Sequence, residues 1–264
     1  MLAPRPTRRF AVPLAALMFP AKIPTMIAYP VLCALVLMTT IGSAMGQTDP
    51  DHWLKEAEEA YGRVTSYTAI FHKQQRVEGK LRQEEAIFIK FRRPASLYMR
   101  WIAEPCKGSE LLYVEGWNDN LAKVRRGGLL GFITWNLAPT NPRLMAHNLR
   151  PFTDLGLGYL VKSVAANVRK AIKVSELNCL GHGEEPICGR KTQALEIVFP
   201  RDKTKGYDAY RLILNQDIAS KVLIRIRAYD WDDHLFENYG YEDLKLDAGL
   251  TATDFDPRNP DYHF

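Results

Sequence analysis

Residues 67–101, YTAIFHKQQRVEGKLRQEEAIFIKFRRPASLYMRW, carry the clearest structural pattern in this chain. Along three segments of this stretch apolar and polar side chains alternate, which is typical of β-strands with one buried face. Glu78-Gly79-Lys80 separates the first segment from the second, and Arg93-Pro94 separates the second from the third. Both compositions are typical of turns. The stretch therefore predicts an antiparallel meander of three strands.

The same period of two extends to both sides of this meander. Further strands are expected near residues 111–114, 121–125, 171–181, 187–199, 207–214, 221–230 and 235–246. Two amphipathic helices interrupt them, one beginning at Asp49-Pro50-Asp51 and one over residues 157–168. Gly127-Gly128 and three prolines mark a loop-rich middle segment. We predict an α+β fold, mainly antiparallel β, with about ten strands in one curved sheet and helices on one face.

The charge of the chain is concentrated at its N-terminus. The 264 residues include 35 Lys and Arg and 30 Asp and Glu, a net charge of +5. Residues 1–46 contain four of the basic residues and no acidic ones. From Gln47 onward the chain therefore has 31 basic residues (35 minus 4) and 30 acidic residues. A net charge of +1 after Gln47 does not provide the basic footprint that nucleic-acid binding needs.

Residues 1–46 have the organisation of an export signal. Basic residues come first, an apolar stretch runs from about Met26 to Ile41, and Ala44-Met45-Gly46 fits a cleavage site that requires small residues. An uncleaved N-terminal anchor is the alternative. We expect a signal peptide over residues 1–46 and a single domain over residues 47–264.

Three cysteines follow the signal. Cys179 and Cys188 flank the turn-like segment Gly181–Pro186, and two strands joined there would place the thiols opposite each other. The sequence therefore predicts a disulfide between Cys179 and Cys188 in an oxidising compartment, with two unpaired thiols as the alternative. Cys106 has no identifiable histidine partner, and we interpret it as structural or adventitious.

No motif in the sequence indicates catalysis. The six histidines show no metal-ligand spacing, and the acidic cluster Asp230–His234 is more typical of a solvated turn than of a calcium loop. We expect no enzyme activity, no metal and no cofactor. The strands are instead rich in apolar and aromatic residues. A curved sheet with such a surface can hold an acyl chain, or the side chains can simply form the core beneath the helices.

Several short motifs resemble one superfamily in their order. The segment from Tyr67 to Tyr113 resembles the opening of periplasmic lipoprotein carriers and outer-membrane lipoprotein receptors. In that superfamily a strand with Phe and Gln leads to a strand ending in Arg-Pro and then to an Arg-Trp strand, here Phe71–Gln74, Phe91–Pro94 and Leu97–Trp101. The chain is similar, more closely, to an uncharacterised family of exported bacterial proteins (domain of unknown function 1571) over Trp101–Gly116 and Arg150–Gly158.

This resemblance implies a half-open β-barrel whose concave side is covered by helices. It implies that Arg93 tethers a lid and that Trp101 and Met99 contact lipid, and Phe71 completes the candidate ligand-binding residues. The implied function is a non-enzymatic periplasmic carrier or binding protein for lipid or acylated cargo. The expected partners are a lipid or acyl chain, an envelope protein and the membrane surface, with no nucleic acid, and we expect a monomer. A structural or protein-interaction module of the envelope without lipid cargo is the alternative, and an envelope hydrolase is a third.

Overall fold

The computed structural model describes residues 49–128 and 131–264. The export signal predicted over residues 1–46 lies outside the described residues, and it stays a prediction together with the domain boundary at residue 47.

In the part of the chain that the structure describes, twelve strands form one antiparallel sheet. They are β1 (Ser66–Val77), β2 (Lys80–Leu81), β3 (Glu85–Arg92), β4 (Ser96–Trp101), β5 (Glu110–Val114), β6 (Ala122–Arg125), β7 (Thr134–Leu137), β8 (Asn178–Ile187), β9 (Arg190–Val198), β10 (Arg211–Asp217), β11 (Leu223–Tyr229) and β12 (Leu235–Leu246). Their order is β7-β6-β5-β4-β3-β1-β12-β11-β10-β9-β8, and β2 pairs with β1. The first long strand thus lies beside the last.

The sheet remains open. Within the part of the chain that the structure describes, the edge strands β7 and β8 do not pair with each other. The prediction of an α+β, mainly antiparallel, half-open fold is confirmed, with twelve strands in place of about ten. The additional strands are the two-residue β2 and the four-residue β7, which are too short to show a period of two in the sequence.

The described residues include three α-helices beside the sheet: α1 (Pro50–Arg63), α2 (Pro142–Met145) and α3 (Leu157–Lys173). The Asp49 side chain accepts a hydrogen bond from the backbone N–H of Asp51, and Pro50 occupies the first helical turn, so α1 begins where the sequence predicts. Among residues 49–128 and 131–264, no helix combines the length and the hydropathy needed to cross a bilayer.

The main core lies between the inner face of the sheet and the helices α1 and α3. Alternate residues of β1 face this core, and the register places Phe71 opposite Ile87 on one side and Tyr241 on the other. Gly158 lets the two helices approach each other, because a methyl group at this position would overlap the Tyr61 ring. Gly158 therefore serves helix packing.

A second, smaller core covers part of the outer face. The C-terminal segment after β12 returns over β3–β5, where the Tyr262 ring stacks on Tyr98 with 3.8 Å between the ring centroids. Lys90 forms an ion pair with Asp254 at 3.0 Å beside this stack. Both faces of the meander are consequently buried at β4.

The disulfide prediction is wrong. Cys179 and Cys188 are free thiols because the segment between them is one continuous strand, β8, with a bulge between Gly181 and Gly183. The hairpin turn is at Cys188-Gly189 instead. Nine residue steps along an extended strand span about 30 Å, whereas a disulfide needs Cα atoms within about 7 Å. Burial raises the pKa of the Cys179 thiol to about 11, so at neutral pH the thiol is protonated.

Candidate ligand-binding site

A cavity of about 600 Å³ lies between the inner face of β4–β7 and α2. By contrast, the cavity between α3 and β10–β12 measures about 30 Å³, so the concave face is filled beneath that helix and hollow beneath α2. Aliphatic and indole side chains form the apolar wall: Trp101, Leu111, Val124, Trp135, Leu137 and Leu144.

Residues 142–150, which comprise α2 and the five residues after it, form the covering segment of the cavity, and polar residues on β1 and β12 hold this segment in place. Asn148 Oδ1 accepts a hydrogen bond from Lys73 Nζ at 2.5 Å, and the backbone N–H of Leu149 donates to Gln75 Oε1 at 3.2 Å. Arg150 Nε donates to Glu237 Oε1 at 3.0 Å on the neighbouring β12. These contacts fix the path of a segment whose own sequence has little periodicity.

Lys73 also joins a buried polar group at the base of the cavity. Its side chain is 4% exposed, and its Nζ lies 3.1 Å from Glu85 Oε1. The other oxygen of Glu85 accepts a hydrogen bond of 2.5 Å from Trp101 Nε1. Glu85 therefore neutralises a buried ammonium and orients an indole of the cavity wall at the same time.

Replacing Lys73 with methionine is expected to lower the free energy of unfolding. The variant leaves Glu85, which is 16% exposed, without its cation. We expect a loss of about 2 kcal/mol, less than for a fully buried pair because solvent reaches the carboxylate. Urea unfolding measures the change, and the double variant Lys73→Met/Glu85→Gln is the control that should recover most of it. Equal losses in the single and double variants would contradict the pairing.

The four ligand-binding residues predicted from sequence occupy three different places. Trp101 lines the cavity of about 600 Å³, and both Trp101 and Met99 line an adjoining cavity of about 60 Å³. Phe71 is fully buried in the filled part of the core, where its ring stacks on Tyr241 at 5.0 Å. Arg93 lies at the end of β3, next to α1.

Arg93 connects the sheet to the end of α1. Its Nη2 donates a hydrogen bond of 2.9 Å to the backbone carbonyl of Tyr61, and its guanidinium lies 4.5 Å from the centre of the Tyr61 ring. Burial raises the pKa of the Tyr61 phenol, and the charge of Arg93 works against that increase.

Replacing Arg93 with alanine is expected to loosen the C-terminal turn of α1. The exposed hydrogen bond and cation–π contact together contribute about 1 kcal/mol, so amide exchange in the last turn of α1 should accelerate several-fold while β1 stays protected. Hydrogen exchange with mass spectrometry measures this change. Arg63→Ala is a matched control because Arg63 is exposed at the end of the same helix. Identical exchange in the two variants would argue against the tether.

Sequence reasoning missed Lys73, Trp135, Leu137 and the covering segment. The alternation along β1 could have revealed the polar contacts of the site, because it places Lys73 and Gln75 on the same buried face as Phe71. Polar residues on a buried face indicate a buried polar network. No sequence pattern indicated where α2 lies, because tertiary hydrogen bonds determine the path of this helix.

One cluster of potential metal ligands and one cysteine are not part of the apolar wall described above, and local structure accounts for both. Asp230, Asp232 and His234 offer ligand atoms within 4.8 Å of one another. However, Asp230 Oδ1 accepts hydrogen bonds from the backbone N–H groups of Asp232 and His234, as a turn requires. Partial burial raises the pKa of the Cys106 thiol, and Glu85 adds to the effect. Cys106 therefore lacks the lowered pKa of an activated nucleophile.

These features define an open antiparallel half-barrel with helices on its concave side and a cavity at one end. The chain belongs to the family described as "Protein of unknown function (DUF1571)", whose profile matches residues 64–264. The family predicted from the sequence is thus confirmed. No curated protein matches the chain.

Several solved structures are similar in fold. MucB is 17% identical with a TM-score of 0.46, and the match covers 80% of this chain and 63% of MucB. The Mycobacterium tuberculosis lipoprotein LppX is 15% identical with a TM-score of 0.48, covering 79% of this chain and 100% of LppX. A LolA superfamily protein from Nitrosomonas europaea is 10% identical with a TM-score of 0.32, and the match covers 78% of this chain and 96% of that protein. The chain therefore spans less than two thirds of the length of MucB.

Proposed function

We propose that the protein is a non-enzymatic carrier or binding protein for lipid or acylated cargo in the cell envelope, exported to the periplasm. The hollow region beneath α2 carries this proposal. Its volume of about 600 Å³ falls within the range of about 300–1,000 Å³ that small-molecule sites occupy. Its wall is mainly apolar, which suits a hydrocarbon chain.

The energetics favour a long acyl chain over a short one. Each buried methylene contributes about 0.8 kcal/mol, so ten of them contribute about 8 kcal/mol before the cost of association is subtracted. That cost is of similar size, about 4–15 kcal/mol. A cargo with only a few methylenes would therefore not form a stable complex in this cavity.

Each predicted site residue has a distinct role in this proposal. Trp101 and Met99 contact the acyl chain from β4. Arg93 holds α1 on the sheet, and Phe71 supports the site from the core. The covering segment lies over the cavity and moves when cargo enters, because a few hydrogen bonds and an ion pair hold it to β1 and β12 and, of residues 142–150, only Leu144 packs against the main core.

Native mass spectrometry of protein purified from the periplasm without detergent tests the proposal. We expect a bound acyl species, released on denaturation and identified in the organic extract. Delipidated protein should rebind one acyl chain saturably in calorimetry. Protein that carries no acyl species and rebinds none would overturn the proposal.

The alternative is an interaction module of the envelope without lipid cargo. The observation that favours it is the open edge of the sheet, where β8 presents its outer backbone groups without a partner strand among the described residues. An edge strand can pair with a strand from another chain. Cross-linking through a cysteine introduced at Leu180, which is 52% exposed on β8, to a defined envelope protein in preparations that contain no lipid would support this alternative.

A further inference from the structure

The cavity has an uneven charge distribution. Five basic or imidazole side chains line it: Lys73, Arg125, Arg126, Arg143 and His147. Two acidic side chains, Glu85 and Glu110, line it as well. The balance depends on which of these charges are already paired within the protein.

Both carboxylates are already paired. Glu85 binds Lys73, as described above. Glu110, whose side chain is 1% exposed, lies 3.6 Å from Arg125 Nη1 and 2.6 Å from His263 Nδ1, and it accepts a hydrogen bond from the backbone N–H of His263. Arg125 also donates to the backbone carbonyls of Gly108 and Gly131. Lys73 and Arg125 are therefore held in place by the protein itself.

Three side chains remain without an acidic partner. Arg126, Arg143 and His147 are exposed, and none of the ion pairs within residues 49–128 and 131–264 involves them. They come from separate positions: Arg126 directly after β6, Arg143 in α2 and His147 after α2. Different segments thus bring unpaired donors to the exposed side of one apolar cavity.

We propose that the cargo is an acidic amphiphile whose acyl chain occupies the cavity and whose carboxylate or phosphate lies against Arg126 and Arg143. This inference rests on the proposed function and specifies its cargo. A guanidinium donates two parallel hydrogen bonds to a carboxylate or phosphate and stays charged at all relevant pH values. A neutral head group has no charge to offer these residues, and a cationic head group is repelled by them. The apolar wall selects the chain, and the cationic rim selects the head group.

Calorimetric titration with three probes of equal chain length tests the inference. The probes are dodecanoic acid, dodecyl phosphate and dodecanol, each kept below the concentration at which it aggregates or precipitates. We expect at least one acidic probe to bind about 10-fold more tightly than the alcohol at low salt, and the difference to shrink as salt screens the charges. The tighter of the two acidic probes identifies whether a carboxylate or a phosphate is the preferred head group.

Charge-removing variants locate the effect. Arg126→Gln/Arg143→Gln should weaken binding of the acidic probe about 10-fold and leave the alcohol within 2-fold. Arg63→Gln/Lys173→Gln removes the same two charges at exposed positions on α1 and α3 and should leave both probes unchanged. Equal affinity for acid and alcohol, or equal weakening of both by the cavity variant, would overturn the inference and leave the carrier function standing. If none of the three probes binds, the carrier function itself fails.

Discussion

Replacing Trp101 with aspartate is expected to abolish acyl binding. The indole forms part of the cavity wall and its ring nitrogen binds Glu85. A carboxylate at this position would face the hydrocarbon chain and repel Glu85. An uncompensated polar group in an apolar site costs at least about 2 kcal/mol, which corresponds to a loss of affinity of about 30-fold or more. Titration with a fluorescent fatty acid measures the change.

Two further variants keep this result interpretable. Trp117→Asp makes the same substitution outside the cavity, at a tryptophan that is 36% exposed, and should leave affinity unchanged. Leu137→Asp places a carboxylate on another part of the wall, away from Glu85, and should reduce affinity to a similar extent. Undiminished binding in both wall variants, with folding confirmed by circular dichroism, would exclude this cavity as the acyl site.

Replacing Phe71 with alanine is expected to destabilise the protein strongly. Phe71 is fully buried, and its ring contacts both Tyr239 and Tyr241 on the neighbouring strand at centroid distances of 5.5 and 5.0 Å. Removing a buried phenyl ring costs about 3–5 kcal/mol. Urea unfolding should show a lower midpoint with an unchanged m-value.

The same variant distinguishes a core role from direct contact with the ligand. If Phe71 acts only through the core, the folded fraction should bind acyl probes with nearly normal affinity. Ile89→Ala is the matched control, since Ile89 is 2% exposed on the inner face of the adjacent strand β3. A loss of affinity in Phe71→Ala that is absent in Ile89→Ala would show that Phe71 contacts the cargo.

The sequence predicted correctly the strands and helices in which apolar and polar residues alternate with one clear period. The strand predicted near 235–246 matches β12 (Leu235–Leu246), and the helix predicted from Asp49-Pro50-Asp51 is α1. The prediction failed near residues 171–181, where α3 continues to Lys173 and β8 begins only at Asn178. The apolar residues there fit either period, so the sequence alone did not separate helix from strand.

The site was less accessible to sequence reasoning than the fold. The family resemblance identified Trp101, which lines the cavity, but it did not identify the place where the concave face is hollow. Two helices were expected as the cover, and α1 and α3 instead pack on a filled core. The hollow region lies beneath α2, a helix of four residues whose position depends on contacts with Lys73, Gln75 and Glu237.

The pairing of β1 with β12 has a consequence for the order of folding. Local hairpins connect the strands from β1 to β7 and those from β8 to β12, so each half of the sheet assembles from neighbouring segments. The junction between the halves instead joins residues as distant in the chain as Tyr67 and Leu246. Such a long loop must close before this junction gains any contact, which makes it a slow step. The two half-sheets therefore merge only after the last strand has emerged, and until then the inner edges of both halves stay exposed to chaperones and to other chains.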